Sequence, residues 1–327
     1  MTGDPAVTEP DTATVLQARP LGRTGLRAPA LCIGTSAIGS IPHVYGYEVA
    51  EEQALETLRA VFAGPVRFVD TSNSYGAGES ERRIGTVLRE IGGLPPDFLL
   101  STKVDPLPGS TDFSGARVRA SLAESSERLG MPVLPLVHLH DPEKISFAEA
   151  TAPGGPVEAL VALRDQGRIG HLGVAGGPVD MLRRFVELGV FDVVITHNRH
   201  TLLDRSAEPL LRDCADAGVA VVNGAPFGGG ILVKGPEAAP RYAYREAPDP
   251  VRQAVLAMQQ ACDRAGVPLA AAALQFSLRE PRISSTIVGI TRPERLAQTL
   301  ELAATPVPDE LWAELAAATP PQDTWLG

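Results

Sequence analysis

Short apolar segments alternate with amphipathic segments along most of the chain. Between the first two apolar segments, Ala54, Leu58 and Val61 recur at helical spacing among charged positions, and Gly64-Pro65 predicts the end of that helix. The apolar segments are short and rich in residues that favour strands. Strands that alternate with amphipathic helices predict a parallel sheet with crossover connections.

The pattern predicts eight strands, at residues 31–34, 67–70, 98–103, 134–139, 169–174, 192–195, 219–223 and 285–288. Further helices are predicted at 117–129, 157–166, 293–303 and 308–317. Eight such units favour an α/β fold of the (β/α)8 TIM barrel type. An open doubly wound sheet is the alternative, but it requires a G-x-G-x-x-G turn after its first strand, and no such turn follows Gly34.

The chain is divided into an extension and one barrel domain. Residues 1–17 lack periodicity and are rich in Thr, Pro, Asp and Ala, which predicts a mobile extension, so residues 18–327 form the predicted domain. A long loop, 234–250, precedes the eighth strand and carries Tyr242 and Tyr244. An insertion over the carboxyl face of a barrel often covers the substrate, but the two tyrosines alternatively only pack the loop down.

Composition and charge exclude several classes of protein. There are 29 Lys+Arg against 39 Asp+Glu, a net charge of −10, which argues against a nucleic-acid partner. The hydrophobic content of 44% excludes overall disorder. Cys32, Cys214 and Cys262 form no C-x-x-C pair, which indicates a reducing cytoplasm rather than a disulfide framework. We expect neither a signal peptide nor a membrane segment, because the first basic residue is Arg19 and glycines interrupt the longest uncharged stretch.

Four reactive side chains are predicted at the carboxyl ends of consecutive strands, where barrel enzymes place their active sites. Asp70 ends the second strand, Tyr75 follows in a glycine-containing loop, Lys103 ends the third strand, and His140 follows the fourth. A free tyrosine has a pKa of about 10, so a tyrosine that exchanges protons near neutrality needs a nearby cation. Lys103 is the candidate cation, Asp70 its counter-charge, and His140 a candidate donor to a substrate carbonyl. Each residue alone more often has a structural role, as a cap, a packed aromatic or a surface ion pair, but the four together at successive strand ends favour a catalytic site.

The sequence resembles the aldo-keto reductase family over residues 20–318. The segments that carry the resemblance are P-L-G-R-T-G-L (20–26), V-D-T-S-N-S-Y-G (69–76), S-T-K (101–103), L-H-D-P (139–142) and T-L-L-D-R (201–205). The resemblance implies a barrel with an N-terminal β-hairpin and C-terminal helices and tail, which binds a nicotinamide cofactor without a Rossmann domain. It implies an NAD(P)-dependent oxidoreductase that interconverts a carbonyl (aldehyde, ketone or sugar lactol/lactone) and the alcohol. Tyr75 is then the general acid/base, tuned by Lys103 and Asp70, and His140 orients the carbonyl.

The resemblance also implies cofactor contacts, and some of these positions depart from the family pattern. Ala175-Gly176 stands where a Ser-Asn pair usually contacts the carboxamide, His197 where Gln is usual, and Gly224 where an aromatic ring usually stacks. His197 is either a carboxamide donor or a hydrogen-bonded loop histidine. Gln298 and Thr299 match the pair that contacts adenine.

The phosphate end of the cofactor is predicted at two segments. The first is a glycine-rich loop after the seventh strand, with candidate contacts at Pro226, Phe227, Gly228, Gly230 and Leu232. The second connects the eighth strand to a helix, whose first N–H groups attract phosphate, with candidates at Gly289, Thr291, Arg292 and Arg295. The two arginines favour NADP through a 2′-phosphate, whereas Gly289 lacks the Lys of many NADP-using members, so NAD stays possible.

Within the family, residues 227–232 and 240–248 look most like bacterial L-fucose (D-threo-aldose) 1-dehydrogenases. This implies a small sugar, lactol or other polar carbonyl compound as the partner, and a specialised metabolite is the alternative. Two further functions stay open. One is a metal-dependent barrel hydrolase that uses His138, His140 and Asp141, with His197 and His200 nearby, although we expect no metal. The other is a non-catalytic subunit that only binds the cofactor. The sequence does not give the oligomeric state.

Overall fold

Eight parallel strands close into a barrel in the computed structural model, which describes residues 16–243 and 245–327. The last barrel strand, Ile283–Gly289, pairs with both Ala220–Gly224 and the first strand, Leu31–Gly34, so the sheet has no free edge. The predicted barrel and all eight predicted strands are confirmed, with ends that differ by a few residues. The strands are β1 Leu31–Gly34, β2 Phe68–Asp70, β3 Leu99–Val104, β4 Leu134–His140, β5 Ile169–Gly176, β6 Val193–His197, β7 Ala220–Gly224 and β8 Ile283–Gly289.

Helices connect the strands and cover the outside of the barrel. The predicted helices are confirmed, and Glu79–Ile91, Val179–Glu187 and Glu208–Ala217 are additional crossover helices. Two helices, Asp249–Ala265 and Leu269–Leu278, lie between β7 and β8. The longer helices are α1 Glu51–Ala63, α2 Glu79–Ile91, α3 Gly115–Leu129, α4 Pro156–Asp165, α5 Val179–Glu187, α6 Glu208–Ala217, α7 Ile231–Ala238, α8 Asp249–Ala265, α9 Leu269–Leu278, α10 Glu294–Ala304 and α11 Asp309–Ala317.

The two faces of each strand contribute to different cores. Side chains that alternate along a strand point to opposite faces, so every second residue faces the barrel interior. The interior cluster contains Cys32, Phe68, Leu99 and Leu136. The intervening residues, such as Leu100, pack with the helices in a larger cluster. The same alternation that fills the barrel interior with apolar side chains also directs polar side chains into the interior at the carboxyl ends of the strands.

The N-terminal β-hairpin closes the amino-terminal end of the barrel. Its strands are Ala18–Pro20 and Arg27–Pro29, and Leu21 between them belongs to the interior cluster. Gly22 has a φ of +56°, and a Cβ there would lie 2.5 Å from the backbone nitrogen of Ala220. The close approach therefore requires glycine. The hairpin implied by the family resemblance is confirmed.

The segment predicted as a loop at 234–250 contains regular structure. It begins within helix Ile231–Ala238, which is kinked at Gly235, and continues as a two-stranded hairpin of Arg241–Tyr242 and Arg245–Glu246. Tyr242 is buried and its hydroxyl donates to the Asn198 carbonyl oxygen at 3.0 Å, so this tyrosine packs the hairpin onto the loop after β6. The predicted loop is therefore only partly irregular, because Gly235 and Pro236 kink a helix instead of preventing it.

The structure describes the C-terminal tail but little of the predicted N-terminal extension. The predicted mobile extension, residues 1–17, lies outside the described part except for its last two residues, and Tyr244 lies outside it as well. At the other end, the Leu326 N–H donates to Asp204 Oδ2 at 2.7 Å, so the tail packs on the loop after β6. In the described ranges, 16–243 and 245–327, no helix has the length and apolar character needed to cross a membrane.

Candidate active site

Three neighbouring strands bring Asp70, Lys103 and His140 to the carboxyl end of the barrel. In the parallel register, Asp70 lies beside Ser101 and Lys103 lies beside His138. Because side chains alternate, Asp70, Lys103 and His140 all face the interior. Asp70 and Lys103 are each 2% exposed, so their charges must be compensated within the protein.

Lys103 is held between a carboxylate and a phenol. Its Nζ donates to Asp70 Oδ2 at 2.5 Å, to the Thr71 carbonyl oxygen at 2.7 Å and to Tyr75 Oη at 3.3 Å. Ser101 Oγ donates to the other Asp70 oxygen at 2.7 Å. The ammonium group therefore has a fixed position from which its charge acts on the Tyr75 hydroxyl.

The loop that carries Tyr75 packs closely against the loop after β1. Gly76 has a φ of +63°, and a Cβ there would lie 1.9 Å from the Gly39 carbonyl oxygen. A Cβ on Gly39 would meet the Tyr75 backbone at 2.8 Å. The two glycines thus allow the backbones of the two loops to come into contact. This contact fixes the position of the Tyr75 backbone, from which the half-buried side chain extends.

His140 completes the group that the sequence predicts. Its ring lies edge-on to the Tyr75 ring, with centroids 5.8 Å apart and an interplanar angle of 83°. Its Nδ1 lies 2.6 Å from Asp105 Oδ1, and its Nε2 lies 3.5 Å from Asp141 Oδ1. The four predicted side chains are therefore brought together by the fold.

Asp105 is a candidate site residue that the sequence analysis missed. Its carboxylate accepts from Ser72 Oγ at 2.5 Å and from the Ser74 N–H at 3.1 Å, in addition to its contact with His140. The sequence does contain an indication of this residue, because Asp105 comes two residues after Lys103 and therefore faces the same side of the strand. What the sequence does not show is that β3 and β4 are in the register that places it beside His140.

The histidines near the site differ in charge. Burial opposes protonation of His140, but the carboxylates of Asp105 and Asp141 outweigh it and raise its pKa. Burial lowers the pKa of His138 to about 3, and burial together with Arg199 lowers the pKa of His197 to about 4. The imidazolium form is therefore more favoured at His140 than at an ordinary histidine, whereas His138 and His197 are neutral at neutral pH.

The structure offers little support for a metal site. His138 and His140 do face the same side, but His138 lies one layer below, and a Cβ on Gly173 would lie 2.1 Å from its ring. Across the residues that can be described, no three His, Cys, Asp or Glu side chains are grouped to hold a metal ion. The hydrolase alternative therefore lacks its ligand set in this part of the chain.

On the opposite side of the mouth, β5, β7 and β8 end in small residues, whereas β6 ends in His197. Ala175 is buried at the end of β5, and the next residue, Gly176, lies close to Glu143, whose Oε2 is 2.7 Å from where a Cβ would be. Glu143 Oε1 accepts from the Gly177 N–H at 3.0 Å and is a second residue the sequence analysis missed. Gly224 lies beside the half-buried His197, since a Cβ on Gly224 would be 3.2 Å from His197 Cβ.

The glycine-rich loop after β7 presents backbone rather than side chains. Gly228, Gly229 and Gly230 all have left-handed φ, of +58°, +77° and +103°. Pro226 is buried and Phe227 half-buried, and the Leu232 side chain is fully buried in a core cluster. Leu232 is buried through its backbone as well, and its N–H donates to the Phe227 carbonyl oxygen at 3.3 Å, so it is not open to a ligand in this structure. A Cβ on Gly230, in contrast, would meet no atom within 4 Å.

The last predicted cofactor residues lie at the start of helix α10. Thr291 is half-buried, and Arg292, Arg295 and Gln298 are exposed. Thr299, in contrast, is buried, and its hydroxyl donates to the Arg295 carbonyl oxygen at 2.7 Å. At the end of β8, a Cβ on Gly289 would meet only the Gly34 carbonyl oxygen, at 3.9 Å. Open backbone beside two exposed guanidinium groups fits the phosphate groups of a nicotinamide cofactor.

Comparisons with known proteins point to one family. Residues 30–319 match the model of the Aldo/keto reductase family. The chain is 33% identical to D-threo-aldose 1-dehydrogenase from a Pseudomonas species, with 90% of this chain and 95% of that protein covered. It is 31% identical to L-galactose dehydrogenase from Arabidopsis thaliana, with 94% and 96% covered. A solved holo-form aldo-keto reductase from Bacillus halodurans has a TM-score of 0.74 at 21% identity, covering 93% of this chain and 96% of that one.

Proposed function

Because this chain belongs to the aldo/keto reductase family, we propose that it interconverts a polar aldehyde or sugar lactol and its reduced or oxidised partner, with Tyr75 as the general acid/base. Family membership makes it an NAD(P)-dependent oxidoreductase that acts on carbonyl compounds, and the resemblance inferred from the motifs is confirmed. The proton route, the substrate and the choice between NADP and NAD are our proposal.

One observation carries the proton route. The buried Lys103 ammonium lies between Asp70 Oδ2 at 2.5 Å and Tyr75 Oη at 3.3 Å. In reduction, Tyr75 donates its proton to the oxygen that was the carbonyl oxygen, and Lys103 stabilises the phenolate that remains. In oxidation, the phenolate accepts the proton of the alcohol. His140 lies beside Tyr75 and donates a hydrogen bond to the same oxygen.

The cofactor supplies or accepts a hydride when it is bound. Backbone at Gly228, Gly230, Gly289 and Thr291 would hold its phosphates, and Ala175 and His197 would border the nicotinamide. Arg292 and Arg295 favour NADP, because guanidinium groups bind a 2′-phosphate through paired hydrogen bonds. Both arginines are exposed, so both are available for such a contact.

The proposed substrate class rests on the site and on the relatives. The mouth combines the proposed acid/base Tyr75 with His140, whose pKa is raised by two carboxylates, and this pair suits a small polar carbonyl compound. The relatives named above are a D-threo-aldose and an L-galactose dehydrogenase, so an aldose in its lactol form is the first substrate to test.

The test is a fluorescence titration of the purified protein with NADPH and NADH in parallel, followed by turnover with aldoses and simple aldehydes. We expect tighter binding of NADPH and turnover with at least one aldose. Turnover with simple aldehydes alone would contradict the sugar assignment. Cofactor binding without any turnover would favour the non-catalytic alternative, and binding of neither cofactor would overturn the proposal.

A further inference from the structure

Asp105 connects the two parts of the site that are proposed to touch the substrate oxygen. It follows β3 immediately, and the register of β3 and β4, which ends with Val104 beside Leu139, places it next to His140. Asp105 as a whole is 1% exposed. One carboxylate oxygen contacts His140 Nδ1, and the other accepts from Ser72 and Ser74 in the loop that leads to Tyr75.

We propose that Asp105 is a positioning residue that keeps His140 doubly protonated and ties it to the Tyr75 loop, so that His140 Nε2–H and Tyr75 Oη–H reach one substrate oxygen together. The proposal rests on the proposed function above for its role in turnover, while the protonation of His140 is testable without any substrate.

The proton arrangement follows from donor and acceptor chemistry. Asp105 already accepts two hydrogen bonds on Oδ2, and as a carboxylate it can only accept from His140 as well. The proton between Asp105 and His140 therefore sits on Nδ1. A neutral ring with its proton on Nδ1 has a bare Nε2, which cannot donate to a carbonyl oxygen. Donation from Nε2 thus requires the imidazolium.

The charges around the ring are compatible with this state. Burial and the Lys103 ammonium oppose protonation of His140, whereas the carboxylates of Asp105 and Asp141 favour it. The carboxylates outweigh the opposing effects, so the His140 pKa is raised. His138 and His197 carry lowered pKa values and do not compete as cations at neutral pH. The groups that face the His140 ring are Asp105 and Lys103 from β3, Tyr75 from the loop after β2, Asp141 and His138 from its own strand and loop, and His197 from β6.

The variant Asp105→Asn removes the negative charge of the side chain and keeps its size and shape. The Ser74 N–H and the Ser72 hydroxyl both point at Oδ2, so the amide oxygen of asparagine takes that place. The amide NH2 then faces His140 Nδ1, which must accept and lose its proton. The variant therefore converts His140 to the neutral ring with the proton on Nε2. The matched control is Asp97→Asn, which removes an acidic side chain that is 66% exposed and lies just before β3 at the other end of the barrel.

The decisive experiment is 15N NMR of the histidine rings between pH 6 and 10, with His140→Gln to assign the signals. We expect the His140 ring of the wild-type protein to be doubly protonated at pH 7 and to titrate above the ordinary range. In Asp105→Asn it should be neutral with the proton on Nε2, and Asp97→Asn should match the wild type. A neutral His140 in the wild type at pH 7, or a ring that stays doubly protonated in Asp105→Asn, would overturn the proposal.

The kinetic readout tests the role in turnover. Removing one donor of this kind costs about a hundredfold in kcat, and Asp105→Asn keeps the donor but loses its charge, so we expect a decrease of about tenfold to a hundredfold with little change in KM. The decline of wild-type reduction at high pH that follows deprotonation of His140 should be absent in the variant. An unchanged kcat and pH profile, with the NMR result as expected, would limit Asp105 to a structural role. If neither the wild-type protein nor any variant turns over a carbonyl, the proposed function is wrong. The NMR experiment still tests the protonation of His140, because it needs no substrate.

Discussion

The two halves of the barrel mouth are built in opposite ways. From β2 to β4, Asp70, Tyr75, Lys103, Asp105 and His140 are joined by contacts between side chains that are largely buried. On the other side, β5, β7 and β8 end in small residues, namely Ala175 and Gly176, Gly224, and Gly289, whereas β6 ends in His197. Proton transfer requires side chains held in place, whereas a large ligand requires open backbone and space. The difference separates a proposed catalytic half from a proposed binding half, and substitutions in each half should have separate effects.

Tyr75→Phe should have the largest effect. It removes the hydroxyl that exchanges the proton and leaves the ring in place, so we expect kcat to fall about a thousandfold. Cofactor affinity, measured by fluorescence titration, should stay within about twofold of wild type because the binding half is unchanged. Turnover close to that of the wild type would remove Tyr75 from the proposed mechanism.

Lys103→Met should affect both turnover and stability. The substitution leaves the Asp70 carboxylate buried without its cation, which costs roughly 3–5 kcal/mol of folding free energy. Urea denaturation measures this loss. The double variant Lys103→Met/Asp70→Asn should recover part of the stability and none of the turnover. Oxidation of the alcohol should be lost or need a higher pH, and an unchanged pH profile would contradict the role of Lys103.

Asp105 should make stability depend on pH in the acid range. Burial opposes its ionisation, but the charge of His140 and the hydrogen bonds from His140 and Ser72 lower its pKa to about 2. Since the unfolded value is about 3.9, the ionised carboxylate contributes about 2–3 kcal/mol that is present above pH 4 and lost as the pH falls toward 2. In urea denaturation between pH 5 and pH 2, Asp105→Asn should lose less stability than the wild type. Parallel curves for the two proteins would argue against an ionised Asp105.

Arg295→Ala should have the smallest effect, and it should be confined to the binding half. Loss of a charge-assisted contact to a 2′-phosphate weakens NADPH binding about tenfold and leaves NADH binding unchanged. Titration of both cofactors measures the ratio, and Arg164→Ala on the outer helix α4 serves as the control. Equal weakening of both cofactors would mean that Arg295 does not contact the 2′-phosphate.

The catalytic half was more predictable than the binding half for a physical reason. Asp70, Lys103 and His140 lie at strand ends, and strand ends follow from the local hydrophobic pattern. Contacts in the binding half depend on loops and on side-chain direction. Thr299 was predicted to contact adenine, yet its hydroxyl bonds to the backbone of its own helix. Glu143 lies beside Gly176 although it is distant in sequence, and no spacing in the chain indicates that contact.

The sequence by itself determined the barrel, its eight strands and the group of Asp70, Tyr75, Lys103 and His140, because the period of apolar residues and the position of a strand's end are local properties. Only the tertiary structure decided that Asp105 pairs with His140, that a kinked helix and hairpin replace the loop after β7, and that Gly39 and Gly76 touch. These outcomes depend on the register between strands and on the packing of distant loops, which the order of residues along one strand does not contain.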